Sequence, residues 1–187
     1  MHQDNWSLKA KKMGYRSRAV FKLEEILLKL HKNQINKVLD LGSAPGGWSQ
    51  FIINKYPHSK IIAIDILHME PIDGVQFIKK NIEDIDSIQL INSLKGKFDL
   101  VISEIAPILT GISAVDNENI YELNKITINL ANIYLSEVNS AVVIKTFQNN
   151  NFKSLKKEME LFFEIVQTYK PAASKNKSAE TYLYGAR

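Results

Sequence analysis

The sequence contains no cysteine and no apolar run approaching the roughly 20 residues needed to span a bilayer. The absence of cysteine excludes disulfide bonds and thiolate metal sites, and it fits a reducing interior. The first residues, 1–7, have no apolar core of the kind that a signal peptide carries. We therefore expect an intracellular protein with no metal site and no membrane contact. We expect it to be cytoplasmic, or mitochondrial or plastid if a targeting segment lies outside this chain.

The composition, 45% hydrophobic and 24% charged over 187 residues, is typical of one globular domain, here 1–187, with a sizeable core. The formal net charge is only +4, so the excess permits a polyanionic partner without requiring one. The basic residues concentrate near the beginning of the chain, at Lys9, Lys11, Lys12, Arg16, Arg18 and Lys22. With Tyr15 and Phe21 they predict a basic N-terminal arm, about 1–18, that contacts a phosphate backbone. A solvated charged face is the alternative.

An apolar run, a glycine turn and an amphipathic run follow one another over residues 37–50. This order predicts a strand, a loop through Gly42, Gly46 and Gly47, and a helix from Trp48. Glycine suits such a loop because it reaches positive φ and lets the backbone approach a nucleotide. The spacing is neither G-x-G-x-x-G nor a P-loop, which disfavours an NAD-dependent oxidoreductase. A nucleoside without phosphates, such as S-adenosylmethionine, fits better, and an ordinary strand-to-helix turn is the alternative.

Further apolar runs alternate with helical patterns, which predicts an α/β fold with a mainly parallel sheet covered on both faces. The predicted strands are 37–41, 61–65, 75–79, 98–104, 140–147, 165–170 and 181–186. The predicted helices are 17–30, 48–55, 118–138 and 152–163. In such a sheet, ligands bind outside the carboxyl ends of the strands.

Four polar residues, Asp65, Asp84, Glu104 and Lys145, come at or just after the carboxyl ends of predicted strands. Asp65 comes 18 residues after Gly47, near the spacing at which an acidic residue holds a ribose hydroxyl. A loop or helix-capping aspartate is the alternative for it. Lys145 is unusual because a buried strand end disfavours an ammonium group. Lys22 lies on the flank of a helical stripe, where a lysine is normally a snorkelling surface residue.

Several motifs, in order, resemble those of the FtsJ-like ribose 2′-O-methyltransferases, which are S-adenosylmethionine-dependent RNA enzymes. They are Arg16-Ser-Arg-Ala-Val-Phe-Lys-Leu-Glu-Glu-Ile26, Asp40-Leu-Gly-Ser-Ala-Pro-Gly-Gly-Trp-Ser-Gln50, Asp99-Leu-Val-Ile-Ser-Glu-Ile-Ala-Pro107, Ala114-Val-Asp116, Val143-Ile-Lys-Thr-Phe-Gln148 and Ser178-Ala-Glu-Thr-Tyr182. The resemblance implies a Rossmann-like methyltransferase fold with seven strands, the last one antiparallel. It implies S-adenosylmethionine as cofactor and, as substrate, a uridine ribose of large-subunit ribosomal RNA within a ribosomal subunit. It also implies a monomer.

The resemblance places the family's catalytic Lys-Asp-Lys-Glu set on Lys22, Glu104, Lys145 and Glu180. With the glycine loop, the cofactor-binding set becomes Gly42, Gly46, Gly47, Trp48, Asp65, Asp84 and Glu104. We assign proton removal to Lys145, because strand burial and a second cation nearby favour its neutral amine. Lys22 and Glu180 would then orient the ribose and its phosphate.

Two residues depart from the family's pattern. Glu104 stands where the family has aspartate, and Ile108 stands where it usually has asparagine. One extra methylene displaces the carboxylate by about a bond length, and a misplacement of about 1 Å can cost on the order of 10²-fold in rate. A non-catalytic RNA-binding or ribosome-assembly protein that retains the fold is therefore the alternative function. Surface salt bridges are the alternative for Lys22, Glu104 and Glu180.

Overall fold

The computed structural model describes residues 5–29, 34–174 and 178–187. It begins with α1 (Asn5–Lys12), α2 (Val20–Lys29), β1 (Lys37–Leu41), α3 (Gly47–Lys55), β2 (Lys60–Asp65) and β3 (Val75–Lys79). A 3₁₀ helix (Ile82–Ser87), α4 (Gln89–Asn92), β4 (Leu100–Ser103) and α5 (Ser113–Tyr134) follow. The remaining elements are β5 (Ala141–Phe147), α6 (Phe152–Glu160), β6 (Ile165–Tyr169) and β7 (Glu180–Ala186).

Within the described ranges, seven strands form one sheet in the order β3-β2-β1-β4-β5-β7-β6. The neighbours from β3 to β5 are parallel, whereas β7 lies between β5 and β6 and is antiparallel to both. This confirms the predicted mainly parallel α/β sheet with an antiparallel last strand. The strand order reverses between β1 and β4, and the carboxyl ends at such a switch point are where α/β sheets bind ligands.

Two hydrophobic layers cover the sheet, one on each face. Successive side chains of a strand point to opposite faces, so Val38 packs with α2 and α3 while Leu39 and Leu41 pack with α5 and α6. Asp40 shares the face of Val38 and meets α3, where it accepts a hydrogen bond from Ser49. Among the described residues, no helix combines the length and apolar character needed to cross a membrane.

The helix α1 at the beginning of the chain lies within the predicted basic arm, and the residue pattern did not predict it. Its Trp6 ring packs on Phe21 of α2 with ring centroids 5.2 Å apart, and the ammonium of Lys9 lies 4.5 Å above the same Phe21 ring. These contacts are tertiary, so a reading of local periodicity misses them. Residues 1–4 of the arm and Leu30 of the predicted helix 17–30 lie outside the described residues.

The long helix α5 spans 113–134 instead of the predicted 118–138. At its beginning, the Asp116 carboxylate accepts hydrogen bonds from the backbone amides of Thr110 and Gly111, which folds the preceding loop onto the first turn. At its end, Ser136 donates a backbone hydrogen bond to Phe98, so the chain leaves the helix for the sheet. Phe98 is an isolated bridge partner there, and β4 is accordingly shorter than predicted.

Candidate functional site

A cavity of about 370 Å³ lies beyond the carboxyl ends of β1, β2 and β4. Most of its lining residues come from the end of β2 and from the segments that follow β1, β2, β3 and β4, and they include Gly42, Asp65, Asn81, Glu104 and Pro107. The volume falls within the range of sites for small organic ligands, about 300 to 1,000 Å³. The predicted location of the ligand site thus coincides with a real cavity.

The carboxylate of Asp65 joins two loops at this cavity. Its Oδ2 accepts a hydrogen bond from the Ala44 amide of the glycine loop at 2.8 Å, and its Oδ1 accepts one from the Leu67 amide at 2.8 Å. Each carboxylate oxygen has a second lone pair. Asp65 can therefore still accept hydrogen bonds from a ribose while it holds both loops in place.

Gly42 is required because two loops approach each other closely here. It has a φ of 72°, and a Cβ at this position would lie 2.8 Å from the Cα of Ile105. A second glycine, Gly46, has a φ of 100°, and a Cβ there would lie 2.7 Å from Ile72 Cδ1. Gly46 and Gly47 are buried beside the cavity. Their backbone shapes the loop, and the cavity wall itself is formed by its earlier residues.

The side chains of Trp48 and Asp84 are not among those that line the cavity. The Trp48 indole donates to the carbonyl of Ala19 at 2.9 Å and packs on Tyr182. Asp84 is exposed on the 3₁₀ helix, and its neighbour Glu83 lines the cavity instead. The polar residues after β3 predicted a carboxylate at this part of the site. The residue pattern could not show which carboxylate of the turn lines the cavity.

A cluster of two lysines and a glutamate lies next to the cavity. Lys22 Nζ donates to Glu180 Oε1 at 2.5 Å, and Lys145 Nζ lies 3.9 Å from Glu180 Oε2. Lys22 is only 4% exposed, so the snorkelling expectation for it is wrong. The sequence pattern placed Lys22 at the edge of the apolar stripe of α2. In the structure this edge is covered by β7, which carries Glu180. The cluster is also too buried to be a surface salt bridge.

Two hydroxyl groups fix the orientation of the Glu180 carboxylate, and the residue pattern did not predict this role for either of them. Tyr182 donates to Oε1 at 3.1 Å, and Ser174 donates to the same atom at 3.3 Å. Burial, with the nearby charges of Glu104 and Glu180, raises the pKa of Tyr182, so its hydroxyl stays a donor. Burial acts to raise the pKa of Glu180, but the hydrogen bond and charge of Lys22 outweigh it and lower that pKa.

Glu104 belongs to both the cavity and the cluster. It lines the cavity, and it interacts electrostatically with Lys145 and Lys22. Burial raises the pKa of Glu104, and the two lysines offset this only in part. The structure therefore brings together all four residues of the predicted catalytic set, with Glu104 at the boundary to the ligand site.

The charged residues that line the cavity suit a cationic nucleoside. Among the residues that the structure describes they are Asp65, Lys80, Glu83 and Glu104, so carboxyl groups outnumber ammonium groups three to one. Such a lining repels phosphate groups and attracts a ligand that carries ammonium or sulfonium charge. S-adenosylmethionine has both charges and a ribose for Asp65, and it therefore fits the residues present.

The fold and this cavity define a Rossmann-like α/β protein with a cavity at its strand switch point. Comparison with known proteins narrows the class, since a model of the FtsJ-like methyltransferase family matches residues 15–187. The chain belongs to this family, and it is a methyltransferase.

Relatives of this chain are named as ribosomal RNA methyltransferases. It is 37% identical to "Ribosomal RNA large subunit methyltransferase E" of Wigglesworthia glossinidia brevipalpis, over 97% of this chain and 90% of that protein. It is 39% identical to the protein of the same name from Ehrlichia chaffeensis, over 94% and 84%. These methyltransferases give no support to the non-catalytic alternative.

Solved structures agree on the architecture. A ribosomal RNA methyltransferase from Plasmodium falciparum superposes with a TM-score of 0.76 at 30% identity, covering 92% of this chain and 98% of that one. A fibrillarin/Nop5p complex superposes with a TM-score of 0.61 at 18% identity, over 89% of this chain and 80% of that one. The second match shows the fold alone.

Proposed function

We propose that this protein transfers a methyl group from S-adenosylmethionine to a ribose 2′-hydroxyl of large-subunit ribosomal RNA, on a uridine in particular. The observation that carries the proposal is that Lys22, Lys145 and Glu180 meet beside Glu104, at the edge of a nucleoside-sized cavity. The names of the bacterial relatives support ribosomal RNA as the substrate.

The residues of the cavity have separable tasks in this function. Bound S-adenosylmethionine supplies an electrophilic methyl group. Asp65 accepts hydrogen bonds from its ribose, and the carboxylates of Glu83 and Glu104 balance its positive charge. Gly42 allows the glycine loop to approach the loop after β4, because any side chain there would clash with Ile105.

Lys145 is the proton acceptor for the ribose hydroxyl. Lys22 is committed to Glu180 at 2.5 Å, whereas Lys145 is 3.9 Å from the same carboxylate and less tightly paired. A hydroxyl is a poor nucleophile, and a positioned base contributes typically 10² to 10⁴-fold to such a reaction. Lys22 and Glu180 hold the acceptor ribose in line, and alignment of this kind supplies several kcal/mol of the barrier reduction.

The basic residues of α1 contact the phosphates of the RNA. Lys11 and Lys12 are exposed on this helix, while Lys9 lies over Trp6 and Phe21. Because α1 packs on α2, which carries Lys22, RNA bound along α1 leads toward the catalytic cluster. The protein acts inside the cell as a monomer on a ribosomal subunit, and light scattering of the purified protein checks the monomer.

The test is methyl transfer from radiolabelled S-adenosylmethionine to large ribosomal subunits isolated from cells that lack this modification. The label is expected in a ribose 2′-O-methyl group, located by nuclease mapping. Lys145→Ala is expected to abolish transfer, and Lys153→Ala, an exposed lysine on α6, is expected to leave it unchanged. Label on a base, or no label on any ribosomal, transfer or capped messenger RNA with folded protein, contradicts the proposal.

A further inference from the structure

Arg16 makes an unusual set of contacts for a residue of a basic arm. Its Nη1 donates to the carbonyl of Glu70 at 2.6 Å and to that of Pro45 at 3.2 Å. Its Nη2 donates to the carbonyl of Pro71 at 2.7 Å. A guanidinium presents several donors in a fixed plane, and here three backbone carbonyl groups use them.

The three carbonyl groups belong to the two loops that flank the cavity. Pro45 lies in the glycine loop, whose Gly42 and Ala44 line the cavity. Glu70 and Pro71 lie in the loop between β2 and β3, whose first residues also line it. Asp65 joins the same two loops at the cavity through Ala44 and Leu67. Arg16 joins them a second time, one residue further along the glycine loop.

The backbone around Arg16 is itself fixed to the helix that follows the glycine loop. The Arg16 amide donates to Gln50 Oε1 at 3.0 Å, and Gln50 Nε2 donates back to the carbonyl of Gly14 at 2.9 Å. The guanidinium also packs against the loop, because a Cβ on Gly46 would come within 3.3 Å of its Nη1. The arm therefore reaches the cofactor loop through a defined set of hydrogen bonds.

We infer that Arg16 is a positioning residue for the cofactor, which holds the glycine loop and the loop after β2 at the spacing that the ligand requires. This inference rests on the proposed function, in which the cavity binds S-adenosylmethionine. It separates Arg16 from the exposed lysines of the arm: their charge contacts RNA, whereas the donor geometry of Arg16 organises the cofactor site.

The test compares cofactor binding and RNA binding in purified variants. Calorimetry with S-adenosylmethionine is expected to show a Kd about tenfold higher for Arg16→Gln, with kcat at saturating cofactor within twofold of the parent protein. Arg16→Lys is expected to show the same loss, because a single ammonium cannot reach carbonyl groups on two loops. If Arg16 contributed only its charge to RNA binding, Arg16→Lys would keep the function of the residue, because lysine carries the same charge.

Lys12→Gln is the contrasting variant, because Lys12 is exposed and belongs to the same arm. It is expected to keep the cofactor Kd and to make RNA binding weaker and less dependent on salt, whereas Arg16→Gln keeps the salt dependence. In Arg16→Lys without ligand, the amides of Ala44 and Leu67 are expected to exchange hydrogen faster than in the parent protein, which reports the loops themselves.

An unchanged cofactor Kd in both Arg16 variants, unchanged amide exchange, or full rescue by lysine overturns the inference. If Arg16→Gln does not fold, the exchange and binding measurements on Arg16→Lys decide the question. Failure of the proposed function gives a different result, since the parent protein itself would then not bind S-adenosylmethionine.

Discussion

Lys22 and Lys145 bring the same charge to one carboxylate, but their surroundings give them different tasks. Lys22 is buried and bonded to Glu180 at 2.5 Å, whereas Lys145 is 3.9 Å away and partly exposed. In the proposed function, Lys22 and Glu180 orient the ribose as one bonded pair, and Lys145 accepts its proton. The resemblance implied these roles for both lysines, but the sequence could not show which of them is bonded to Glu180, because that carboxylate is distant in the chain.

Variants of Glu104 test how strongly the rate of methyl transfer depends on the position and charge of this carboxylate. We expect Glu104→Asp to retain methyl transfer within about tenfold of the parent protein, because a carboxylate remains at the boundary of cavity and cluster. Glu104→Gln is expected to lose on the order of 10²-fold, since the amide has no charge to orient Lys145. Single-turnover kinetics at saturating cofactor measures both variants. Equal rates for Glu104→Gln and the parent protein would remove Glu104 from the catalytic set.

Asp40 is a buried carboxyl group beneath the glycine loop. Burial, together with the charges of Glu104 and Asp65, raises its pKa from 3.8 to about 7, although Ser49 donates to it at 2.6 Å. Among the described residues, its Oδ1 has no hydrogen-bond partner. The folded protein therefore binds a proton on Asp40 more tightly than the unfolded chain does.

The raised pKa of Asp40 predicts that the stability of the protein depends on pH. Because the folded pKa is the higher one, the unfolding free energy falls as pH rises between about 4 and 7, by up to about 4 kcal/mol. Asp40→Asn removes this slope, and urea denaturation at pH 4 and pH 8 measures it. Asp86→Asn, at an exposed position, is the control and should keep the slope. Parallel pH profiles for the parent protein and Asp40→Asn would contradict the raised pKa.

At the scale of elements, local residue patterns predicted the strands well and the connections poorly. The strands β2 and β5 each contain a continuous run of four apolar residues because they are buried on both faces, and such runs are visible in the sequence. The strand β1 is apolar after its first residue except at Asp40. Helix α1 was missed because its stabilising contacts, Trp6 with Phe21, join two separate helices. The beginning of α5 was missed because a side chain, Asp116, defines it.

The loop 105–112 forms one wall of the cavity, and Asp116 anchors it. Its Oδ1 accepts hydrogen bonds from the Thr110 amide at 2.7 Å and from the Thr110 hydroxyl at 2.8 Å. These hydrogen bonds lower the pKa of Asp116, so the anchor persists at neutral pH. The exposed side chains of Ile108 and Leu109 extend beyond this anchor and form an apolar rim.

Replacing the anchor should loosen this wall without unfolding the protein. Asp116→Ala is expected to accelerate amide hydrogen exchange at Thr110 and Gly111 at least tenfold and to raise the Kd for S-adenosylmethionine severalfold. Asn119→Ala, at an exposed position on the same helix, is the control. The thermal midpoint should change little in either variant. Unchanged exchange in Asp116→Ala would mean that other contacts hold the loop.

At the scale of the whole molecule, the weak net charge of +4 conceals an uneven distribution. Carboxylates dominate the lining of the cavity, while lysines dominate α1. The two surfaces therefore attract ligands of opposite sign, a cationic cofactor on one side and a polyanion on the other. Composition could predict a polyanionic partner only in general terms, because the fold determines where the charges lie.

The salt dependence of RNA binding tests whether the lysines of α1 form the surface that binds the polyanion. Each phosphate contact that is removed should reduce the slope of log K against log salt by about 0.7 to 0.9. The double variant Lys11→Gln with Lys12→Gln is therefore expected to bind RNA more weakly, with a slope reduced by about 1.4 to 1.8. Filter binding between low and physiological salt measures it. Lys153→Gln with Lys157→Gln on α6 is the matched control, and an equal effect there would assign RNA binding to general charge.

The Lys22–Glu180 bond joins residues 158 positions apart, and β7, which begins at Glu180, lies between β5 and β6. Chains emerge from the ribosome amino-terminal part first. A growing chain can thus pack α2 and most of its sheet while Lys22 still lacks its carboxylate. The strand β7, once it lies between β5 and β6, brings Glu180 to Lys22. In the proposed function these groups act together, so we expect a growing chain to become active only after its synthesis has passed β7.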